Sequence, residues 1–271
     1  MDLKELKNKK DNSSKRMPVL FVGHGSPMNA IQNNMYTEGW KAIGESIPVP
    51  DAIICISAHW ETGGTFFTAM DKPETIHDFG GFPRELYEVE YPAHGSSKIA
   101  KDASNLITNA NAQLDMEWGL DHGCWSILRH MYPKADIPVI QMSLDYRKDA
   151  GYHYELAKEL VSLRNKNVLI LGSGNMVHNL RIIDWQQTSD KGFDWAEEAR
   201  EQMKKLISDN NYSDLINYKK LGREISLAVP TPEHFLPMLY ALALKEENEQ
   251  ITFFNDKIDL GSIAMTSFVI N

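Results

Sequence analysis

Short runs of β-branched and aliphatic residues alternate along this chain with longer stretches whose apolar residues recur at helical spacing. That alternation is the pattern of a sheet covered by helices. Val19–Val22, Ala52–Ser57, Thr65–Met70, Val139–Leu144, Val168–Leu171, Glu224–Val229, Ile251–Phe254 and Ser262–Ile270 read as strands. Ser96–Ala110, Tyr152–Leu163, Phe193–Ser208 and Pro232–Leu244 read as helices. No internal repeat, low-complexity tract or Pro/Ser-rich linker divides the chain, and 271 residues are enough to build one large core. The expectation is an α/β fold: a single-domain α/β/α sandwich with a central mixed sheet over residues 17–271, preceded by a flexible polar arm over residues 1–16. The stretch Lys72 to Gly95, with its prolines, glycines and aromatics, reads as a long irregular loop of the kind that often walls a site.

Composition removes several function classes. A net charge of −9, with basic residues clustered only in the first sixteen, argues against a nucleic-acid partner. No apolar segment is long enough to span a bilayer, and Lys4, Lys7, Lys9, Lys10, Lys15 and Arg16 have no apolar run behind them to make a secretory signal. A cytoplasmic protein with neither a membrane nor a nucleic-acid partner is expected, either a monomer or a small homo-oligomer. Two cysteines exclude a disulfide framework: Cys55 lies in an apolar run, and Cys124 has no identifiable base beside it.

Four of the nine histidines occupy one kind of place, just past an apolar strand in a turn rich in Gly, Ser or Pro. His24 follows Val19–Gly23, His59 follows Ile53–Ala58, His178 follows Val168–Gly174, and His234 follows Ala228–Pro232. In open α/β sheets, ligands bind beyond the carboxyl ends of strands, so these four imidazoles can meet in one cleft around one divalent metal. A histidine at a strand end serves equally well as a hydrogen-bonded structural residue, and neither Cys-x-x-Cys nor His-Glu-x-x-His spacing is present to decide the matter. His122, in a turn flanked by Asp121 and Trp125, reads as a donor beside such a site. His77 and His94 border the long loop, while His130 and His153 fall on expected helices and receive no role.

Six ordered motifs carry a resemblance that runs from about Pro18 to the C-terminus: Gly23-His24-Gly25-Ser26-Pro27-Met28, Ser57-Ala58-His59-Trp60, Asp78-Phe79-Gly80-Gly81-Phe82-Pro83, Leu120-Asp121-His122-Gly123, Gly172-Ser173-Gly174-Asn175-Met176-Val177-His178-Asn179, and Pro230-Thr231-Pro232-Glu233-His234-Phe235. Together they resemble the 4,5-DOPA extradiol dioxygenase family, a branch of the class III, LigB-type ring-cleaving enzymes. The resemblance implies a metal held by His24, His59 and His234, with His178 either a fourth ligand or a nearby acid/base and His122 close to the substrate. It implies Fe(II) for cleavage of a catechol such as DOPA by dioxygen, with Zn(II) also occurring in this branch. The implied partners are a small aromatic diol and O2.

Three neutral imidazoles would leave the full dipositive charge of the metal to bind and deprotonate a catechol, with Glu233 the rival ligand. His178 and His122 suit the catalytic proton transfers, because imidazole titrates near neutrality. In the long loop, Phe82, Tyr87 and Tyr91 are candidates to pack on the substrate ring, and Arg84 is available for a carboxylate. Two other functions use the same residues: a zinc-dependent hydrolase, and a memo-type metal-binding interaction protein without ring cleavage.

Overall fold

Why the strands read as unbroken apolar runs is explained by the sheet they form. In the computed structural model, which describes residues 16–186 and 191–271, eight strands make one mixed sheet. They are β1 (Val19–Gly23), β2 (Ala52–Thr62), β3 (Thr65–Thr68), β4 (Ala112–Asp115), β5 (Val139–Asp145), β6 (Val168–Gly174), β7 (Ile251–Phe254) and, after the short ladder of β8 (Ile258–Asp259) with β9 (Ile263–Ala264), β10 (Ser267–Ile270). The order is β4-β3-β5-β2-β6-β1-β10-β7, with β5, β2, β6 and β1 mutually parallel at the centre and β10 and β7 antiparallel at one edge.

Alternate residues of the central strands feed two different cores. Val19, Phe21, Ile54, Ile56 and Ile170 face one layer, and Leu20, Val22, Ile53, Cys55, Leu169 and Leu171 face the other. Both faces are dry, so the period-2 alternation of polarity disappears. Helices α1 (Met35–Ser46) and α4 (His122–Met131) cover the second face, contributing Trp40, Ile43, Trp125 and Leu128. Between them in sequence come the single turn α2 (Arg84–Tyr87) and α3 (Ser97–Ser104). The first face is covered by α3, α5 (Ala150–Lys158), α6 (Asp194–Ser208), α7 (Tyr212–Ile216), α8 (Arg223–Ala228) and α9 (Leu236–Ala243). The expected sandwich and mixed sheet are present. The expected arm falls, Arg16 apart, outside the described residues. No helix among the described residues is long and apolar enough to cross a membrane.

Several local expectations are corrected. Glu224–Val229 is not a strand: Ile225 and Ala228, three apart, are the buried residues of α8, which makes this a helical face. Ser262–Ile270 is two strands, β9 and β10, separated by Met265 and Thr266. Pro232–Leu244 becomes helical only at Leu236. Before it, the amides of Phe235 and Leu236 both donate to the Pro232 carbonyl, and the turn so formed presents His234. Helix α1 was not expected, yet its start is marked by a reciprocal cap in which Asn34 accepts from the Thr37 amide and the Thr37 hydroxyl accepts from the Asn34 amide.

Candidate active site

The parallel register brings the ends of three strands to one level. Val22 and Gly23 of β1 lie beside Ser173 and Gly174 of β6, and Ser57 of β2 lies beside Ser173 from the other side. His24 leaves β1 one residue later. His59 lies inside β2 rather than beyond it, where the pairing with β5 shifts register between Ile56 and Glu61, and such irregularities re-aim side chains. His234 follows helix α8, not a strand, and its carbonyl accepts from the Asn175 amide just past β6 at 2.8 Å. Gly174 permits this approach, because a Cβ there would stand 2.2 Å from the His234 carbonyl oxygen. His122 opens α4 behind its N-cap Asp121.

Five imidazoles thereby converge. The ring centroids of His24, His59 and His234 lie 4.9, 5.3 and 5.1 Å apart, nearly an equilateral triangle. His122 is placed less evenly, 4.0 Å from His59 and 5.5 Å from His24. His178 stacks face to face on His234 at 3.5 Å with an interplanar angle of 11°. Two groups of possible ligand atoms result: His24, His59 and His122, and His178, Glu233 and His234.

Hydrogen bonds around the rings fix which nitrogen carries the proton. The Ser173 hydroxyl donates to the Gly123 carbonyl at 2.5 Å, so its oxygen accepts from His24 Nδ1, 3.0 Å away. Asp78 takes the Nδ1 proton of His122 at 3.0 Å, and Glu233 takes that of His234 at 3.0 Å. Asp78 Oδ2 also stands 3.3 Å from His59 Nδ1, within ion-pair reach. A neutral imidazole has one N–H, so the Nε2 atoms of His24, His122 and His234 keep bare lone pairs. His24 Nε2 and His59 Nε2 stand 3.0 Å apart, a hydrogen-bond distance in the metal-free protein that also suits two nitrogens on one cation. This set of neutral imidazoles, three of them anchored through the outer nitrogen, fits a divalent metal.

Burial keeps the rings of His24, His59, His178 and His234 neutral. It is the largest cause of the depression of His24 and His234 well below the ordinary 6.5, assisted by the other histidines. Burial likewise brings His59 to about 3, although the charge of Asp78 raises it, and His178 to about 4, against the charge of Glu233. Asp78 behaves differently: burial alone would raise it, but the His122 hydrogen bond holds it below the usual 3.8. Asp121 is pushed up to about 6 by burial, even while Gln141 and Ser57 donate to it. Between pH 6.5 and about 4 the unfolded chain binds protons that the folded imidazoles refuse, so the metal-free protein should lose stability as pH falls through that window. Asp121 works in the opposite direction, but one carboxyl stands against four imidazoles. Denaturant midpoints that stay flat from pH 7 to about 4 would contradict this.

The long loop reaches the site through Phe79, which sits edge-on to His122 at 5.5 Å and packs on Phe82 at 5.5 Å and Tyr87 at 5.1 Å. Arg84 points into solvent and pairs with Glu88. Tyr91 is buried in the core, its hydroxyl donating to the Tyr132 carbonyl. His77 donates to the Val89 carbonyl, and His130 and His153 bond to Asn29 and Tyr240 away from the cluster. Burial raises the Cys124 thiol well above its ordinary value, as for an inert core thiol. Sequence reasoning missed Asp78 and Ser173 as parts of the site. Asp78 and Ser173 are one hydrogen bond behind the imidazoles, with partners 44 and 149 residues distant in sequence, and only the motifs containing them hinted at it.

Residues 18–263 match the family described as the catalytic LigB subunit of aromatic ring-opening dioxygenase. The chain is 45% identical to 4,5-DOPA dioxygenase extradiol of Escherichia coli K12 over 95% of its length and 96% of the relative's. It is 34% identical to the protein of the same name from Beta vulgaris, over 92% and 95%. A crystal structure of an uncharacterized Escherichia coli K12 protein superposes with a TM-score of 0.83 at 39% identity, covering 94% of this chain and all of that one. Strand-end imidazoles and matches across nearly the whole chain lead to one conclusion: the protein belongs to the LigB family of aromatic ring-opening dioxygenases and is an enzyme of that ring-opening class.

Proposed function

We propose that the protein cleaves a catechol such as DOPA in the extradiol manner, with one divalent metal held by His24, His59 and His234. The observation that carries the ligand set is the near-equilateral triangle of those three rings, with Nδ1 of His24 and His234 hydrogen-bonded and that of His59 3.3 Å from Asp78. Three imidazoles meeting one cation at ~2.1 Å need their rings spaced this evenly. A metal bound there supplies Lewis acidity to the paired catechol oxygens and brings dioxygen beside the ring. Fe(II) suits the oxygenase reaction, and Zn(II) is compatible with the same nitrogen set.

His178 is assigned to proton transfer. An imidazole donates in the plane of its ring, and two rings stacked at 3.5 Å hold their lone pairs in parallel planes, so His178 and His234 cannot both aim at one point. Neutral at physiological pH, His178 accepts a phenolic proton and returns it later in the cycle. His122, beneath Phe79, orients the phenolate or dioxygen through its Nε2. Phe79, Phe82 and Tyr87 form the aromatic wall, Tyr91 stays in the core bonded to the Tyr132 carbonyl, and Arg84 turns from Glu88 to a substrate carboxylate. The three-imidazole set is also what a zinc hydrolase uses, so the test separates the two. Protein reconstituted with Fe(II) without oxygen and then mixed with a catechol should stay colourless until oxygen is admitted, when the yellow semialdehyde appears. Turnover that continues without oxygen, or no colour from any catechol in oxygen, would sink the proposal.

A further inference from the structure

Asp78 belongs to none of the roles above, yet its carboxylate is shared between two of the imidazoles. Its Oδ1 accepts the backbone N–H of His122 at 2.8 Å, in the first turn of α4, where the helix dipole favours a negative charge. Its Oδ2 accepts from His122 Nδ1 at 3.0 Å and stands 3.3 Å from His59 Nδ1. The loop holds the carboxylate there firmly. The Ile76 amide donates to the Leu120 carbonyl and the Leu120 amide to the Glu74 carbonyl, both at 2.7 Å, and Trp125 Nε1 donates to the Ile76 carbonyl at 2.8 Å.

We propose that Asp78 is a positioning residue that sets the tautomer and aim of His59 and His122 together, and so couples a metal ligand to the histidine beside the substrate. The part concerning the metal rests on His59 being a ligand, as proposed above. The physical reason lies in the count of acceptors. Two N–H groups of His122 take one oxygen each, and His59 Nδ1 stands 3.3 Å from the second oxygen, an arrangement that suits an ionised carboxylate, which only accepts. An amide offers one accepting oxygen and an NH2 that only donates. Asp78→Asn must therefore leave at least one ring without its anchor or force it into the other tautomer, with the proton on Nε2 and the lone pair turned away from the site. The adjacent Phe79 edge on His122 carries any displacement of that ring to the aromatic wall.

Two readouts test this on the full chain. In metal-free wild-type protein, the ring nitrogen resonances of His59 and His122 should report protonated Nδ1 and bare Nε2, and in Asp78→Asn at least one of the two should become mixed or inverted. Chelator competition with Zn(II) alone should show metal binding weakened about 10- to 100-fold in the same variant. A thermal melt establishes that the variant is folded. Wild-type protein with the proton on Nε2 of both rings overturns the proposal without any variant. So does folded Asp78→Asn with unchanged tautomers, or with changed tautomers and a metal affinity within about twofold of wild type. Failure of the metal reading is told apart by His59→Ala. If that variant binds Zn(II) as wild type does, the ligand assignment falls, and the tautomer result alone decides the role of Asp78.

Discussion

His24→Ala and His59→Ala are each expected to give a folded protein that holds almost no metal and opens no rings. Neither side chain carries the fold. The Ser173 hydroxyl keeps its bond to the Gly123 carbonyl when His24 is gone, and Asp78 keeps both bonds to His122 when His59 is gone. Removing one ring also ends the 3.0 Å contact between the two Nε2 atoms. What disappears is one of three donors in a set where ligand geometry is already formed in the metal-free chain. Elemental analysis should fall from about one metal per chain to a small fraction of it. Ring-opening turnover should fall by more than about 10³-fold, because Lewis-acid stabilisation is worth several kcal/mol. His234→Ala should behave the same way and His122→Ala should keep its metal. An inverted result for that last pair would move the third ligand to His122, which lies among the same possible ligand atoms.

The sandwich was legible because β-branched runs and helical periods are local properties, and the parallel centre of the sheet follows from strands buried on both faces. Helix α4 was expected only around His130, since His122 through Leu128 are all buried and give no polar stripe to mark its first turns. Strand ends were the right place to look for His24 and His178, but His234 reaches the cluster from a turn after a helix, and His59 from an irregular stretch within a strand. The imidazoles stood out because histidine is rare and the motifs repeat its setting. Their anchors did not: an aspartate or serine one bond behind a ring looks like any loop residue until the chain is folded. Arg84 was legible as a residue suited to a carboxylate, but that its side chain stands in solvent beside Glu88 could be read only from the fold.

His178→Ala should separate proton transfer from metal binding. Stacked at 3.5 Å on His234, His178 has its lone pairs in a plane parallel to that of the ligand, so its loss removes no donor from the His24, His59 and His234 triangle. His234 stays anchored by Glu233 through Nδ1 and by the Asn175 amide through its carbonyl. Metal content should therefore remain near wild type. Turnover should drop by about 10²- to 10⁴-fold, the usual worth of a positioned general acid or base, with KM little changed. Burial, which brings His178 to about 4, keeps the ring an acceptor throughout the neutral range. Added imidazole, free to enter the space vacated by the side chain, should restore part of the lost rate by taking up the same proton. A metal-free His178→Ala protein would reverse the assignment, making His178 a ligand and leaving His122 as the group placed to move the proton.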